Sequence, residues 1–221
     1  MGRRLQAQIE ALQAEFESRP KGLREHVGRV LVEAVDLAAR WDVSPQRAEL
    51  AVWGHDLFRA LAPREQLRLA RDIGLPVTAQ DEASPVMLHG PLAAVVLRER
   101  FAVNDDEVIA AVREHTTGAP EMPLLSKIIL IADKVEKRKR TRTPIMAEVR
   151  RLARRDLDLA LLCWADWKWL EERTREWSSY PAHWTARQRW VVEHHSEVGL
   201  PGRISDSEYE IGAEVLVATS A

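Results

Sequence analysis

Cysteine is nearly absent from this chain. Cys163 stands alone among 221 residues, so no intrachain disulfide can form and the pattern suits a reducing compartment. Long apolar runs are missing too. No stretch reaches the roughly 20 uninterrupted apolar residues that a membrane-spanning helix needs. The opening Met1-Gly2-Arg3-Arg4-Leu5-Gln6 passes into polar and acidic residues without the apolar core of a signal peptide, so the expected address is the cytoplasm, with no membrane partner. Neither sign of charge prevails: 32 Lys and Arg against 34 Asp and Glu leave a formal net charge of -2. That balance excludes a globally basic nucleic-acid binder and leaves a small anionic ligand open. Internal repeats and low-complexity tracts are lacking, as is any alternating run long enough for a core strand.

What is present is helical periodicity in nearly every segment, and the expectation is an all-α fold with one main core. Leu5, Ile9, Leu12 and Phe16 mark one face of a first helix that stops at Arg19-Pro20-Lys21-Gly22. A second helix, about Leu23 to Trp41, carries His26 beside its apolar stripe. Ser44-Pro45 offers an N-cap and a first-turn proline for a third helix, running through His55-Asp56 to about Phe58. Pro63 opens a helix to Asp72, and Gly74 stops it. The loop from Leu75 to Pro85 is expected to shape a pocket wall. Gly90-Pro91 begins a helix that ends near Phe101, Asn104 is expected to cap the next, and Leu124 to Val135 forms a strongly apolar helix. Basic helical material from Pro144 to Arg155 precedes a long helix from Asp156 to about Trp177. The division expected is an N-terminal helix over 1–21, a main bundle over 22–177, and a Trp-containing extension with a mobile tail over 178–221.

Within this alkyl-rich background, His26, His55, Asp56, His89, His115 and Asp133 recur at the inner faces or ends of successive expected helices. Imidazoles suit zinc, iron, manganese or nickel, and a carboxylate can bridge two ions, so the set reads as a site for one or two transition metals. Asp133 follows Ile128-Ile129-Leu130-Ile131-Ala132 near a helix C-terminus, where an unpaired carboxylate is costly and a cationic partner is expected. His183, His194 and His195 lack such a carboxylate pattern and are assigned to surface or packing. Of the eight tryptophans, Trp164 and Trp167 share a helix face while Trp169 points elsewhere. Packing or a subunit interface is favoured for them over adenine stacking.

The order His26, His55-Asp56, Asp133 resembles the HD-domain phosphohydrolase superfamily, a metal-binding helical bundle. Arg24-Glu25-His26, Leu88-His89-Gly90-Pro91, His115-Thr116-Thr117-Gly118 and the run from Leu125 to Glu136 narrow the resemblance to its YqeK-type branch, the symmetrical bis(5'-nucleosyl)-tetraphosphatases. The likeness covers about Leu23 to Leu170. It implies that His26, His55, Asp56 and Asp133 hold one metal, and that Asp56 bridges to a second held by His89 and His115. Iron is the usual metal, with manganese, cobalt, nickel or zinc as alternatives. A hydroxide between the ions would attack an inner phosphorus of diadenosine tetraphosphate and release two ADP. Arg59, three residues after Asp56, stands where the family commonly has a lysine and is assigned to catalysis and phosphate binding. Thr116, Thr117 and Gly118, next to His115, are assigned to phosphate contact.

The family usually continues from its final Ala-Asp into Ile-Glu-Pro and an arginine. Here Asp133 leads into Lys134-Val135-Glu136-Lys137-Arg138-Lys139-Arg140-Thr141-Arg142, and Arg138 and Arg140 become the candidates for that arginine. Alternatives are a phosphohydrolase of another nucleotide or phosphoanhydride, oxygen chemistry at a di-iron site, and a non-catalytic module engaging nucleic acid through Lys134 to Arg155. A small dinucleoside polyphosphate or nucleotide is the expected ligand, and a homodimer is compatible with the sequence.

Overall fold

A computed structural model of the chain describes residues 2–194. His195 and the expected mobile tail lie outside the described residues. Among those residues there are twelve α-helices, one 3-10 turn and no strand, which bears out the all-α reading.

Helix α1 (Gly2–Glu17) buries Ile9, Leu12 and Phe16. It lies on α3 (Pro45–His55), where the Phe16 and Trp53 rings meet edge to face with centroids 5.7 Å apart. Between them in sequence comes α2 (Lys21–Arg40), whose Val27, Val30, Ala34, Leu37 and Ala38 form the buried stripe that packs on α3 and on α8 (Leu124–Val135). Helix α8 buries nine of its twelve residues, Asp133 included, and is the central rod of the bundle.

Helix α4 (Pro63–Asp72) and the left-handed Gly74, at φ +71°, match the expected element and its stop. The segment expected as an open loop instead folds into the short α5 (Ala79–Ala83) and a 3-10 turn, Pro85–Leu88. Thr78 and Asp81 bond each other's backbone N–H at the start of α5, a capping box. The 3-10 turn runs directly into α6 (His89–Glu99), which packs on α7 (Asp106–Glu114). The cap of α7 is Asp105 rather than Asn104. Its carboxylate accepts from the backbone of Glu107 and Val108 and also pairs with Arg47 at 2.6 and 2.7 Å, which ties the starts of α3 and α7 together. Asparagine caps as well in principle, but only a carboxylate can also take the guanidinium.

After α8, Glu136 breaks the helix with an extended ψ of 153° and caps α9 (Lys137–Arg142) by accepting from Arg138 N–H. Helices α10 (Ile145–Ala153) and α11 (Leu157–Thr174) follow, with Asp156 capping the latter. The first part of the extension folds as a helix, α12 (Pro181–His194), seated against α11. Tyr180 O–H donates to Asp81 at 2.5 Å, so the link between α11 and α12 is fastened to α5. No described helix is long and apolar enough to cross a membrane.

Candidate metal centre

Five helices deliver their polar residues to one point. His55 is the last residue of α3 and Asp56 its C-cap, His115 is the C-cap of α7, and Asp133 lies two residues from the end of α8. Helix C-termini carry partial negative charge, so three of them converging on one spot favour a cation there. His89 opens α6, and His26 sits in the second turn of α2.

Asp56 is divided between two groups of imidazoles. Its Oδ2 lies 3.6 Å from Nε2 of His26 and 3.6 Å from Nε2 of His55. Its Oδ1 lies 3.3 Å from Nε2 of His89 and 3.7 Å from Nε2 of His115. Each triad, His26-His55-Asp56 and Asp56-His89-His115, brings its donor atoms within 4.8 Å of one another, a spacing that can hold a metal ion. Asp133 adjoins the first triad through Oδ1, 3.0 Å from Nε2 of His26.

The tautomers are set by the backbone. His55 and His115 each direct Nδ1 at the carbonyl three residues earlier, Val52 at 2.6 Å and Val112 at 2.7 Å, and His89 does the same with Val86. A carbonyl only accepts, so each Nδ1 carries the hydrogen and each Nε2 presents a lone pair to the centre. Metal-ligating histidines are held in just this way. Nε2 of His55 is buried with no hydrogen-bond partner, and those of His89 and His115 face each other at 2.9 Å. Buried lone pairs without donors are costly; a pair of transition-metal ions shared through one carboxylate fits the donors present.

Electrostatics agree. Burial lowers the affinity of His55 for a proton, and it brings His115 down to about 4, which keeps both imidazoles neutral. Burial alone would raise the Asp56 carboxyl, but the imidazoles of His55, His115 and His89 gathered around it outweigh that, and Asp56 sits well below the ordinary carboxylate range. Asp133 is likewise held far down against burial by Lys134 and Lys139. Their Nζ atoms lie 2.7 and 2.6 Å from its two oxygens, the cationic partners that its position demands.

The remaining candidates separate. Arg59 lines a cavity of about 510 Å³ over the triads and also an adjoining one of about 870 Å³; Lys134, Lys139 and Thr116 line both as well. Thr116 Oγ1 lies 3.0 Å from Nε2 of His115 and 3.3 Å from that of His89. Thr117 turns its carbonyl to His183 Nδ1 and its hydroxyl to the carbonyl of Gly118. Gly118, at φ +71°, lies under Trp190, where an added Cβ would fall 2.5 Å from the indole. Arg140 pairs with Glu33 at 2.5 Å and with the carbonyl of Val135, and neither it nor Arg138 lines the two cavities.

Lys134 and Lys139, absent from the expected set, are thus the cations that flank the centre. Their signal in the sequence was the basic run itself, which does not reveal which of its members turn inward. His183, expected at the surface or in packing, is buried against Trp164 with ring centroids 4.9 Å apart, and both line the larger cavity. Gly90 has a local reason: an added Cβ would stand 3.0 Å from the Arg113 carbonyl and 3.1 Å from that of Val112. Only glycine lets the start of α6 come this close to α7, which brings His89 to His115.

The chain is similar to known proteins. The HD domain family matches residues 23–138. The chain is 34% identical over 139 residues to the symmetrical bis(5'-nucleosyl)-tetraphosphatase of Bacillus subtilis (strain 168), covering 62% of this chain and 72% of that protein. It is 35% identical over 140 residues to the protein of the same name from Halalkalibacterium halodurans, with the same coverage. A crystal structure of a "predicted HD superfamily hydrolase involved in NAD metabolism" from Clostridium acetobutylicum superposes with a TM-score of 0.78 over 83% of this chain and 97% of that one. At 24% identity that likeness speaks for the fold.

Proposed function

Since the chain belongs to the HD domain family of hydrolases, we propose that it cleaves diadenosine tetraphosphate symmetrically, adding one water across the central anhydride to give two ADP. The observation that carries this reading is the division of Asp56 between two imidazole groups. The relatives that share the sequence are named for the same reaction.

His26, His55 and Asp56, with Asp133 beside them, would hold one ion, and Asp56, His89 and His115 the other. Iron is the first candidate and fits a donor set of imidazoles and carboxylates. Bound there, two such ions supply Lewis-acid polarisation of a phosphoryl oxygen and a water acidified toward neutrality. The protein's own groups do the rest. Arg59, Lys134 and Lys139 face the cavities and would neutralise the polyphosphate, and charge growing on the departing diphosphate would meet the same cations. The Thr116 hydroxyl, beside both His89 and His115, would orient a phosphate oxygen over the centre. No side-chain nucleophile is required.

The alternative of nucleic-acid binding through the stretch after Asp133 fits less well. Arg140 and Arg150 both end on Glu33, Arg154 on Asp36 and Arg151 on Glu148. These arginines are held by carboxylates outside both cavities, and Lys134 and Lys139 of the same stretch turn into the cavities, which leaves fewer cations to meet a phosphate backbone.

The test is product analysis with iron-loaded protein. ADP as the sole nucleotide formed from diadenosine tetraphosphate is the expected result. Formation of ATP and AMP, or no turnover, would overturn it.

A further inference from the structure

The cavity of about 870 Å³ runs from His89, Thr116, Lys134 and Lys139 at the metal centre to a far end built by α11 and the link to α12. Its two ends differ in chemistry. The near end is cationic. The far end holds Trp167, Trp177 and Tyr180, together with three carboxylates, Glu171, Glu172 and Glu176. Lys168 is already paired with Glu171 at 3.2 Å and Glu172 at 3.5 Å, and Arg175 with Glu171 at 3.4 Å; both cations lie against the Trp177 ring, 5.2 and 4.8 Å from its centroid, while Trp177 keeps about half its surface, 52%, exposed. With its cations spent on Glu171, Glu172 and the Trp177 ring, this end offers little to a phosphate chain, whereas a flat uncharged ring bearing amino hydrogens is matched by the indole of Trp167, the open part of Trp177 and the carboxylate oxygens around them.

We propose that this far end is a nucleobase subsite, taking an amino-bearing purine against Trp167 and Trp177 while the attached phosphates reach back to Lys134, Lys139 and the metal ligands. The assignment rests on the dinucleotide reading above and adds the part of the molecule that grips the base. The volume lies within the range of about 300–1,000 Å³ usual for small-ligand sites, large enough for a nucleoside with its phosphates. Tyr180, fastened to Asp81, joins this end to α5 and so holds the two walls of the chamber at a set separation.

The subsite is tested with Trp167→Ala and Trp177→Ala in the full-length, metal-loaded chain. Each raises KM for diadenosine tetraphosphate about tenfold, as loss of one stacking partner predicts, and Trp177→Phe recovers most of that loss. Inhibition by inorganic tripolyphosphate, which has no base, keeps its Ki in both alanine variants. An unchanged KM in both variants, or a parallel rise in the tripolyphosphate Ki, would overturn the subsite. Binding of ADP, followed by tryptophan quenching, separates the two claims. If the wild-type protein leaves diadenosine tetraphosphate intact, the dinucleotide reading falls. Tenfold weaker ADP binding by Trp177→Ala than by wild type still sustains the subsite, and equal binding overturns it.

Discussion

Nε2 of His89 faces Nε2 of His115 at 2.9 Å, and each ring has committed its Nδ1 hydrogen to a main-chain carbonyl. Two lone pairs so placed repel unless a cation or proton lies between them. Asp56 meets both rings through Oδ1 and the other pair of histidines through Oδ2. Asp56→Ala is therefore expected to lose both ions and turnover together, while His89→Ala keeps one ion and loses the second. Elemental analysis of the purified variants decides this. Two ions retained by Asp56→Ala would disprove the sharing.

Gly90 predicts a stability effect that is also a site effect. A methyl group there meets two carbonyl oxygens of α7 at 3.0 and 3.1 Å, and neither can retreat as a flexible side chain can. Gly90→Ala should cost about 1–3 kcal/mol, the usual range for overpacking, and should lower metal occupancy by moving His89 off His115. Thermal melting and metal content measured together check this. A wild-type melting temperature would remove the close approach as the reason for glycine.

Acid should loosen the metal-free protein within a defined window. Burial brings His115 down to about 4, and His55 is lowered in the same direction. Between the ordinary histidine value of about 6.5 and about 4, the unfolded chain binds a proton that the folded one refuses, so stability falls as pH falls through that interval. His115 alone contributes a loss on the order of 3 kcal/mol by pH 4. Melting of the metal-free chain from pH 7 down to 4.5 tests this, and His115→Asn should flatten the slope. A melting temperature independent of pH over that range would refute it.

The two kinds of cation after Asp133 should behave differently. Lys139 lines both cavities and touches Asp133 at 2.6 Å, whereas Arg138 lines neither. Lys139→Ala is expected to raise KM for the polyphosphate several-fold, about what one lost charge-assisted contact brings, while Arg138→Ala stays near wild type. The reverse ranking in steady-state kinetics would return the phosphate contact to Arg138.

Much of this was legible in the residues. The six ligand candidates stood out because imidazoles and carboxylates interrupt apolar helices, and the bounds of α4 and α8 follow from Pro63, Gly74 and the apolar run itself. The cations were not legible, because the break at Glu136 resets the helix face. Counting along the run from Asp133 does not reveal that Lys134 and Lys139 turn inward while Arg140 turns to Glu33. The cap at Asp105 depended on Arg47, far away in sequence. Trp164 and Trp167 were readable as one face of α11, but the hollow beside that face is enclosed by α12 and by the segment around α5. Periodicity does not report what lies opposite.

The metal-ligand candidates run from His26 to Asp133, within the stretch that matches the family, and the aromatic wall of the chamber begins only at Trp164. The aromatic wall is thereby written after the metal ligands, while the wall facing it, from Gln80 to Met87, is written between His55 and His89. Exchange of α11 and α12 between relatives would then replace one wall of the chamber and leave the metal ligands, and the wall around α5, as they are.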